Sequence, residues 1–246
     1  YNYKERYMLE ANLRYDGSSR FVGDKRWGLF PSFSAGWNIA REDFFRPLAG
    51  VIGTLKLRGS WGQLGNNNTD KANAWYPFYQ NMITGSANSG WLIDSKKQNT
   101  AQLPGIVNSL MTWETIESWD IGLDFGLLDN RLTGSVGYYN RYTYDMIGPA
   151  PILPPVLGAL PPQVNNCDMK SYGWELELSW RDRISEFDYS ARFVLSDGKR
   201  KILRYPNPTN SLSSDVYYNG QILGDIWGYK TIGIAPVSYT HLRAHE

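Results

Sequence analysis

Glu175 and Glu177, at i and i+2, are the residues in this sequence that come nearest to a reactive pair. In an extended segment alternate side chains share a face, so the two carboxyls fall within the ~5–9.5 Å that glycoside hydrolases use. Such an enzyme holds its acid and base on opposite sides of the scissile bond, whereas neighbours on one strand project in parallel. Polar lining of a strand face explains the pair without catalysis. His241 and His245 have a spacing that suits two metal-binding imidazoles on a helix, but both fall in Val237–Glu246, VSYTHLRAHE, which reads as a translated sequencing-library adapter. With residues 236–246 set aside as a non-native tail, no histidine remains, and Ser-His-Asp, Cys-His and His-metal schemes each lack a component. The single cysteine, Cys167, permits neither an internal disulfide nor a multi-thiolate site, and no glycine loop of phosphate-cradling form occurs. No catalytic residue, metal or cofactor is therefore expected.

Charge points to no partner either. The 25 basic and 24 acidic side chains are spread along the chain and leave a formal charge of +1, which excludes the basic footprint of a nucleic-acid binder. The aromatic share of 15%, with 10 Trp and 17 Tyr, and the 24 glycines suit strands and turns better than helices. No run approaches the ~18 apolar residues of a membrane-spanning helix, and YNYKERYMLE at the start carries no basic-then-apolar signal region, as expected of a truncated chain. A transmembrane strand needs only ~9–11 residues and may alternate polar with apolar, so a barrel stays hidden in average hydropathy.

Alternation is what the elements show. From Tyr7 to Tyr15 the odd positions are Tyr, Leu, Ala, Leu and Tyr, against Glu10, Asn12 and Arg14 at even positions. Aliphatic side chains at mid-strand with tyrosine at both ends suit a strand that crosses hydrocarbon between two headgroup layers, although a soluble sandwich strand has the same look. The pattern recurs in Leu29–Ile39, Leu55–Trp61, Trp119–Leu127, Leu132–Tyr142, Tyr172–Trp180 and Phe187–Leu195, and more weakly in Ile226–Ile234. Asp129-Asn130 marks a tight hairpin and 182–186 a second one. The expected fold is all-β, about seven or eight antiparallel strands.

Connections alternate in length: 17–27, 41–53, 65–114, 128–131, 146–170, 182–186 and 200–222. Short periplasmic turns and long extracellular loops alternate in this way around membrane barrels. If 128–131 and 182–186 are periplasmic, parity places 17–27, 65–114, 146–170 and 200–222 outside the cell, with 41–53 the least tidy. The 65–114 connection is far longer than the ~12–15 residues usual for an unstructured loop, so it is expected to hold extra strand pairing or a functional excursion. Its Trp75, Tyr76, Phe78, Tyr79 and Trp91 either pack the loop or stack on sugar rings. Pro149–Gln163, PAPILPPVLGALPPQ, lacks the donors for a central strand or helix and is a loop; its PxxP match at Pro151–Pro154 has the same plain explanation.

These strands carry consecutive words: ANLRYDGSSRF at Ala11–Phe21, GLFPSFSAGWNIAREDFF at Gly28–Phe45 and LKLRGSWGQLGN at Leu55–Asn66. TWETIESWDIGLDFGLLDNRLTGSVGYYNRYTYDMI at Thr112–Ile147, YGWELELSWR at Tyr172–Arg181 and LGDIWGYKTIGI at Leu223–Ile234 follow in order. Together they closely resemble the barrel of the SusC/RagA family of TonB-linked (TonB-dependent) outer-membrane transporters, from Tyr1 to about Ala235. Members of that family tend to have a glycine and an asparagine where this chain has Cys167 and Ser171, which implies an altered turn in a loop at that point.

The resemblance implies an antiparallel transmembrane β-barrel fragment at 1–235, from a transporter of some 22 strands. It implies an outer-membrane location in a Gram-negative bacterium and import of oligosaccharides or peptides without covalent chemistry. It also implies two protein partners, a SusD-like surface lipoprotein and TonB, the latter reached through a plug domain and TonB box N-terminal to Tyr1. Substrate contact is assigned to polar groups facing the lumen and to extracellular aromatics: Arg14, Arg58, Glu175, Glu177, Trp75, Tyr76 and Trp91. The alternatives are a soluble β-sandwich that binds carbohydrate and a glycoside hydrolase.

Overall fold

The computed structural model describes residues 1–48, 50–68, 76–85, 92–150, 161–213 and 216–226, and single residues at 154, 156, 158, 228, 230, 231 and 233. Most of the strand residues lie in one antiparallel sheet. Its strands are β1 (Asn2–Tyr3), β2 (Tyr7–Gly17), β3 (Trp27–Asn38) and β4 (Ile52–Asn66), then β9 (Glu114–Leu127), β10 (Leu132–Gly148), β11 (Val164–Ile184) and β12 (Phe187–Arg204), each paired with the next. Between β4 and β9 lie β5 (Thr84–Gly85), β6 (Leu92–Ile93), β7 (Lys96–Lys97) and β8 (Thr100–Ala101). They pair as β5 with β8 and β6 with β7, the extra strand pairing expected of that long connection.

The seven alternating segments are thus seven long strands, each reaching past its sequence limit at one end or both, although β3 stops at Asn38, one residue short of Ile39. The eighth differs: the described residues of 226–234 form no strand, and the chain returns to β12 earlier, through a bridge from Ile222 to Lys201. The amides of Ile202, Gly220 and Leu223 donate to the carbonyls of Gln221, Ile202 and Arg200, each at 2.8 Å. A second correction concerns Cys167 and Ser171, expected in a loop. Both lie inside β11, where extended backbone requires no positive φ. The special geometry is on the facing strand, at a bulge where Asp145 has φ +54° and the register shifts between Thr143 and Met146. Asp168 accepts the Asp145 amide at 2.9 Å, and Arg204 bridges Asp145 at 2.9 Å and Asp168 at 2.7 Å.

Cross-strand partners share a face, so the register shows how the alternation adds up. One row runs Tyr7, Trp37, Leu57, Leu123, Val136, Leu176 and Leu195 across seven strands. Beside it run Leu55, Phe125, Gly134, Leu178 and Phe193. This apolar face is bare: Leu9, Leu13, Phe33, Ile121, Val136 and Phe193 are all exposed. Aromatic groups border it, with Trp37 stacked on Tyr7 and Trp180 beside Tyr189 at the end with the tight turns, and Phe33, Trp61, Trp119 and Tyr172 towards the other. Trp180 to Tyr172 on β11 is eight residues, about 27 Å of strand, or about 21 Å along the barrel axis at a tilt of ~40°, comparable with the ~25 Å apolar band of a membrane barrel.

The connections 4–6, 39–51, 128–131 and 185–186 lie at one end of the sheet, all but 39–51 tight, and 18–26, 67–113 and 149–163 lie at the other. At 128–131 Leu128, Asp129 and Asn130 have φ of +54°, +54° and +62°. Asn130 folds back over Gly126, where any Cβ would collide with its amide oxygen. The least tidy connection, 39–51, is shaped by 3-10 turns at Ile39–Arg41 and Asp43–Leu48. Between these turns Glu42, 8% exposed, accepts the Tyr7 hydroxyl at 2.6 Å and the Trp37 indole N–H at 3.0 Å, with Arg6 at 3.4 Å. At the long-loop end Phe21, Phe30, Met111, Trp113 and Ile147 form the buried apolar cluster, and Trp113 donates to the Arg26 carbonyl at 3.3 Å.

Two outcomes follow from this geometry. Val136 and Ser135 are neighbours on opposite faces. Val136→Arg should cost ~2–4 kcal/mol if the apolar face meets lipid, whereas Ser135→Arg should fold normally; refolding yield of the full-length barrel into vesicles checks the pair. The hydrogen bonds from Tyr7 and Trp37 hold the Glu42 carboxyl below its ordinary value, despite the opposing effect of burial. A carboxyl lowered by folding adds stability above its unfolded pKa and loses it as pH falls through the folded value. Acidification below the ordinary carboxylate range should therefore lower the melting temperature of the wild-type barrel in detergent more than that of Glu42→Gln.

Candidate functional site: the polar face

Opposite the apolar face, the same registers bring the polar residues together. One row reads Met8, Gly36, Arg58, Gly122, Gly137, Glu175 and Ser196, and the next Glu10, Ser34, Ser60, Asp120, Tyr139, Gly173 and Gly198. Arg58 stands near the centre. Its guanidinium lies 3.4 Å from Asp124 and 3.6 Å from Asp120, and Asp120 also accepts the Ser60 hydroxyl. These groups are all partly solvated, where an ion pair adds only ~0–1 kcal/mol, so the arrangement fixes side-chain positions more than it stabilises the sheet.

The glycines explain the shape. A Cβ on Gly122 would lie 2.7 Å from the Arg58 guanidinium carbon, and one on Gly137 4.0 Å from its terminal nitrogen. Arg58 therefore lies down along its row across β9 and towards β10. Tyr139 does the same from β10: its hydroxyl would be 2.8 Å from a Cβ on Gly173 and 2.7 Å from one on Gly198. With Cβ atoms absent, long polar side chains spread over the sheet instead of standing off it. They border a hollow of about 560 Å³ edged by Arg58, Asp120, Tyr139, Arg141, Glu175 and Arg200.

The residues assigned to substrate contact divide by position. Arg58 and Glu175 share one row and one hollow. Glu177 pairs with Arg192 of β12 at 2.8 Å, and Arg14 with Asp16 of its own strand at 2.8 Å. Glu175 and Glu177 project side by side from β11, as alternation requires. Tyr76 is exposed at the long-loop end, edge-on to Phe78 at 6.1 Å. Trp75 and Trp91 lie outside the described residues. Sequence reading did not single out Asp120, Tyr139, Arg141 and Arg200. Their even or odd placement marks the polar face, but only the register reveals that they meet.

A two-faced antiparallel meander of this form belongs to a membrane barrel wall, and comparison with known families agrees. The model described as TonB dependent receptor-like, beta-barrel matches residues 1–244. The chain belongs to this TonB-dependent receptor β-barrel family. Among its relatives, the TonB-dependent receptor SusC of Bacteroides thetaiotaomicron is 34% identical over 220 residues, covering 88% of this chain and 21% of SusC. The TonB-dependent receptor P39 of Formosa agariphila is 30% identical over 240 residues, covering 95% of this chain and 22% of its own. The chain thus spans about a fifth of the length of these relatives. Among solved structures, the RagAB peptide importer in its closed-closed state has the same fold, with a TM-score of 0.72 at 21% identity, over 88% of this chain and 23% of that one. The RagAB peptide transporter gives 0.69 at 22%, over 82% and 21%.

The glycine lanes of this barrel wall make a directional prediction. A Cβ on Gly173 would strike the Asp197 carbonyl oxygen of the paired strand, which no rotamer relieves, whereas one on Gly122 meets only the movable end of Arg58. Gly173→Ala should destabilise the barrel by ~1–3 kcal/mol and lower its heat-shift temperature on electrophoresis. Gly122→Ala should leave that temperature unchanged.

Proposed function

We propose that residues 1–235 form part of the wall of a closed outer-membrane barrel in a Gram-negative bacterium, and that the whole protein imports oligosaccharides or peptides. The carrying observation is the division of one continuous sheet into a bare apolar face with aromatic borders and a charged polar face. In lipid, strands must pair on both sides and close, so the two edges of this sheet, β1 and β12, are to be completed by further strands. The polar face then lines the lumen. Family membership supports energy input through TonB and a SusD-like lipoprotein as the surface partner, with no covalent step. Residues 236–246 form no part of the wall in this reading.

Arg58 and Glu175, which share the central hollow, are the proposed lumen contacts for cargo, with Arg14 and Glu177 as further lining. Trp75, Tyr76 and Trp91 are the proposed aromatic contacts on the long connection. Glu177 is held by Arg192 and points parallel to Glu175, so this pair is not placed to flank a glycosidic bond, which counts against the glycosidase alternative. A soluble carbohydrate-binding sandwich would need a second layer over the apolar face, and among the described residues that face is uncovered.

Expression of the full-length gene tests the reading. The product should fractionate with the outer membrane, shift in mobility on heating, and take up labelled oligosaccharide or peptide only when TonB is present. Joint Trp75→Ala and Trp91→Ala substitution should lower uptake several-fold without altering the heat shift. A soluble product with no heat shift would return the sandwich to first place.

A further inference from the structure

Arg141 and Arg200 occupy one row of the polar face, on β10 and β12, with Ser171 of β11 between them. At ~4.8 Å per strand their Cα atoms stand roughly 10 Å apart, and both arginines edge the hollow described above. Neither makes a side-chain ion pair or hydrogen bond among the described residues. The carboxylates nearby are spent or distant. Asp120 and Asp124 engage Arg58, Glu177 engages Arg192, and Asp145 and Asp168 engage Arg204. Glu175 is four residues, about 13 Å, further along β11 from Ser171. Two forked cations therefore face one opening with no anion in their own row.

The backbone beneath them offers nothing to a ligand. β10 and β11 have a paired strand on each side through Arg141 and Ser171, so their amides and carbonyls are committed to the ladder, and on the edge strand β12 the Arg200 carbonyl accepts the Leu223 amide at 2.8 Å. A peptide strand cannot be read here by main-chain pairing, which is how sheets usually recognise extended peptides. Recognition falls to side chains: two guanidinium forks, which match carboxylate geometry, and the hydroxyls of Ser171 and Tyr139 with the Glu175 carboxylate, which suit a polyhydroxylated ring.

We propose that Arg141 and Arg200 form a carboxylate-reading pair in the lumen wall, and that the cargo is an acidic, uronic-acid-bearing oligosaccharide. This rests on the reading that the polar face lines a transport lumen. Arg58, outnumbered by Asp120 and Asp124, forms the floor of the hollow and leaves no positive charge of its own for a ligand carboxylate.

Calorimetric binding to the purified full-length transporter tests the pair, with tetragalacturonate, its methyl ester, maltotetraose and tetraglutamate as probes. Wild type should prefer tetragalacturonate. Arg141→Gln and Arg200→Gln should each weaken it about tenfold or more, the worth of a charge-assisted hydrogen bond, and leave the ester unchanged. Heat-shifted mobility serves as the folding control, and where Arg141→Gln loses it, Arg141→Lys and Arg200→Gln carry the comparison. Equal binding of acid and ester, or unchanged affinity in the variants, overturns the proposal. Preference for tetraglutamate overturns the saccharide assignment. Uptake by cells separates the two levels: TonB-dependent uptake of maltotetraose without charge preference overturns this inference alone, whereas no TonB-dependent uptake of any probe overturns the transport reading as well.

Discussion

Pairing of the main chain is the constraint on which the rest of this structure depends. A strand that crosses hydrocarbon must give every amide and carbonyl a partner in a neighbouring strand, because lipid supplies none. The meander from β2 to β12 does this along most of its length, although β3 and β4 pair only over Ser32–Asn38 and Lys56–Gly62. At the β10 bulge the Asp145 amide turns to the Asp168 carboxylate, and Asn165 donates to the Asp145 carbonyl at 2.7 Å. Once the ladder is fixed, the side chains have only two directions to point, and the chemistry of each face follows from the parity of the sequence.

Parity also accounts for the unusual way the polar face is furnished. Glycines recur on it where Arg58 and Tyr139 must cross neighbouring strands, at Gly122 and Gly137 in one row and Gly173 and Gly198 in the next. A barrel lumen has to stay open while still being charged. Side chains that lie along the wall satisfy both needs, since they present guanidinium and phenol groups without filling the space above them. Glycines serve the apolar face in the same way, with Phe125 lying over Gly134 and Trp27 over Gly17.

Each end of the sheet solves a different problem. At the tight-turn end the chain reverses within two to four residues at 128–131 and 185–186, helped by left-handed backbone at Asp129, Asn130 and Ser185. At the long-loop end the first loop is tied down by a compact apolar cluster around Phe21 and Trp113, whose rings meet at 5.4 Å. Loop packing of that kind gives the long connections a rigid base from which exposed aromatics such as Tyr76 project.

Alternation made the seven long strands, their apolar face and the two tight hairpins legible in the sequence, because a period of two records on which side each residue lies. It also made Arg58 and Glu175 recognisable as polar-face residues. Strand ends were less legible. β11 runs on to Val164 through Cys167, since a strand in a wide sheet can continue on hydrogen bonds from its neighbours after its own alternation fades. Near Ile226, where alternation is weak, the described residues show no strand pairing, and the chain pairs with β12 at Gly220–Leu223 instead. The identity of each face is written in the period of two along each strand. Which residues of different strands stand in one row is settled only when the sheet forms, because register depends on turns, bulges and partner strands far away in the chain. That register is what places Arg141 beside Arg200 across Ser171, and Arg58 in line with Glu175.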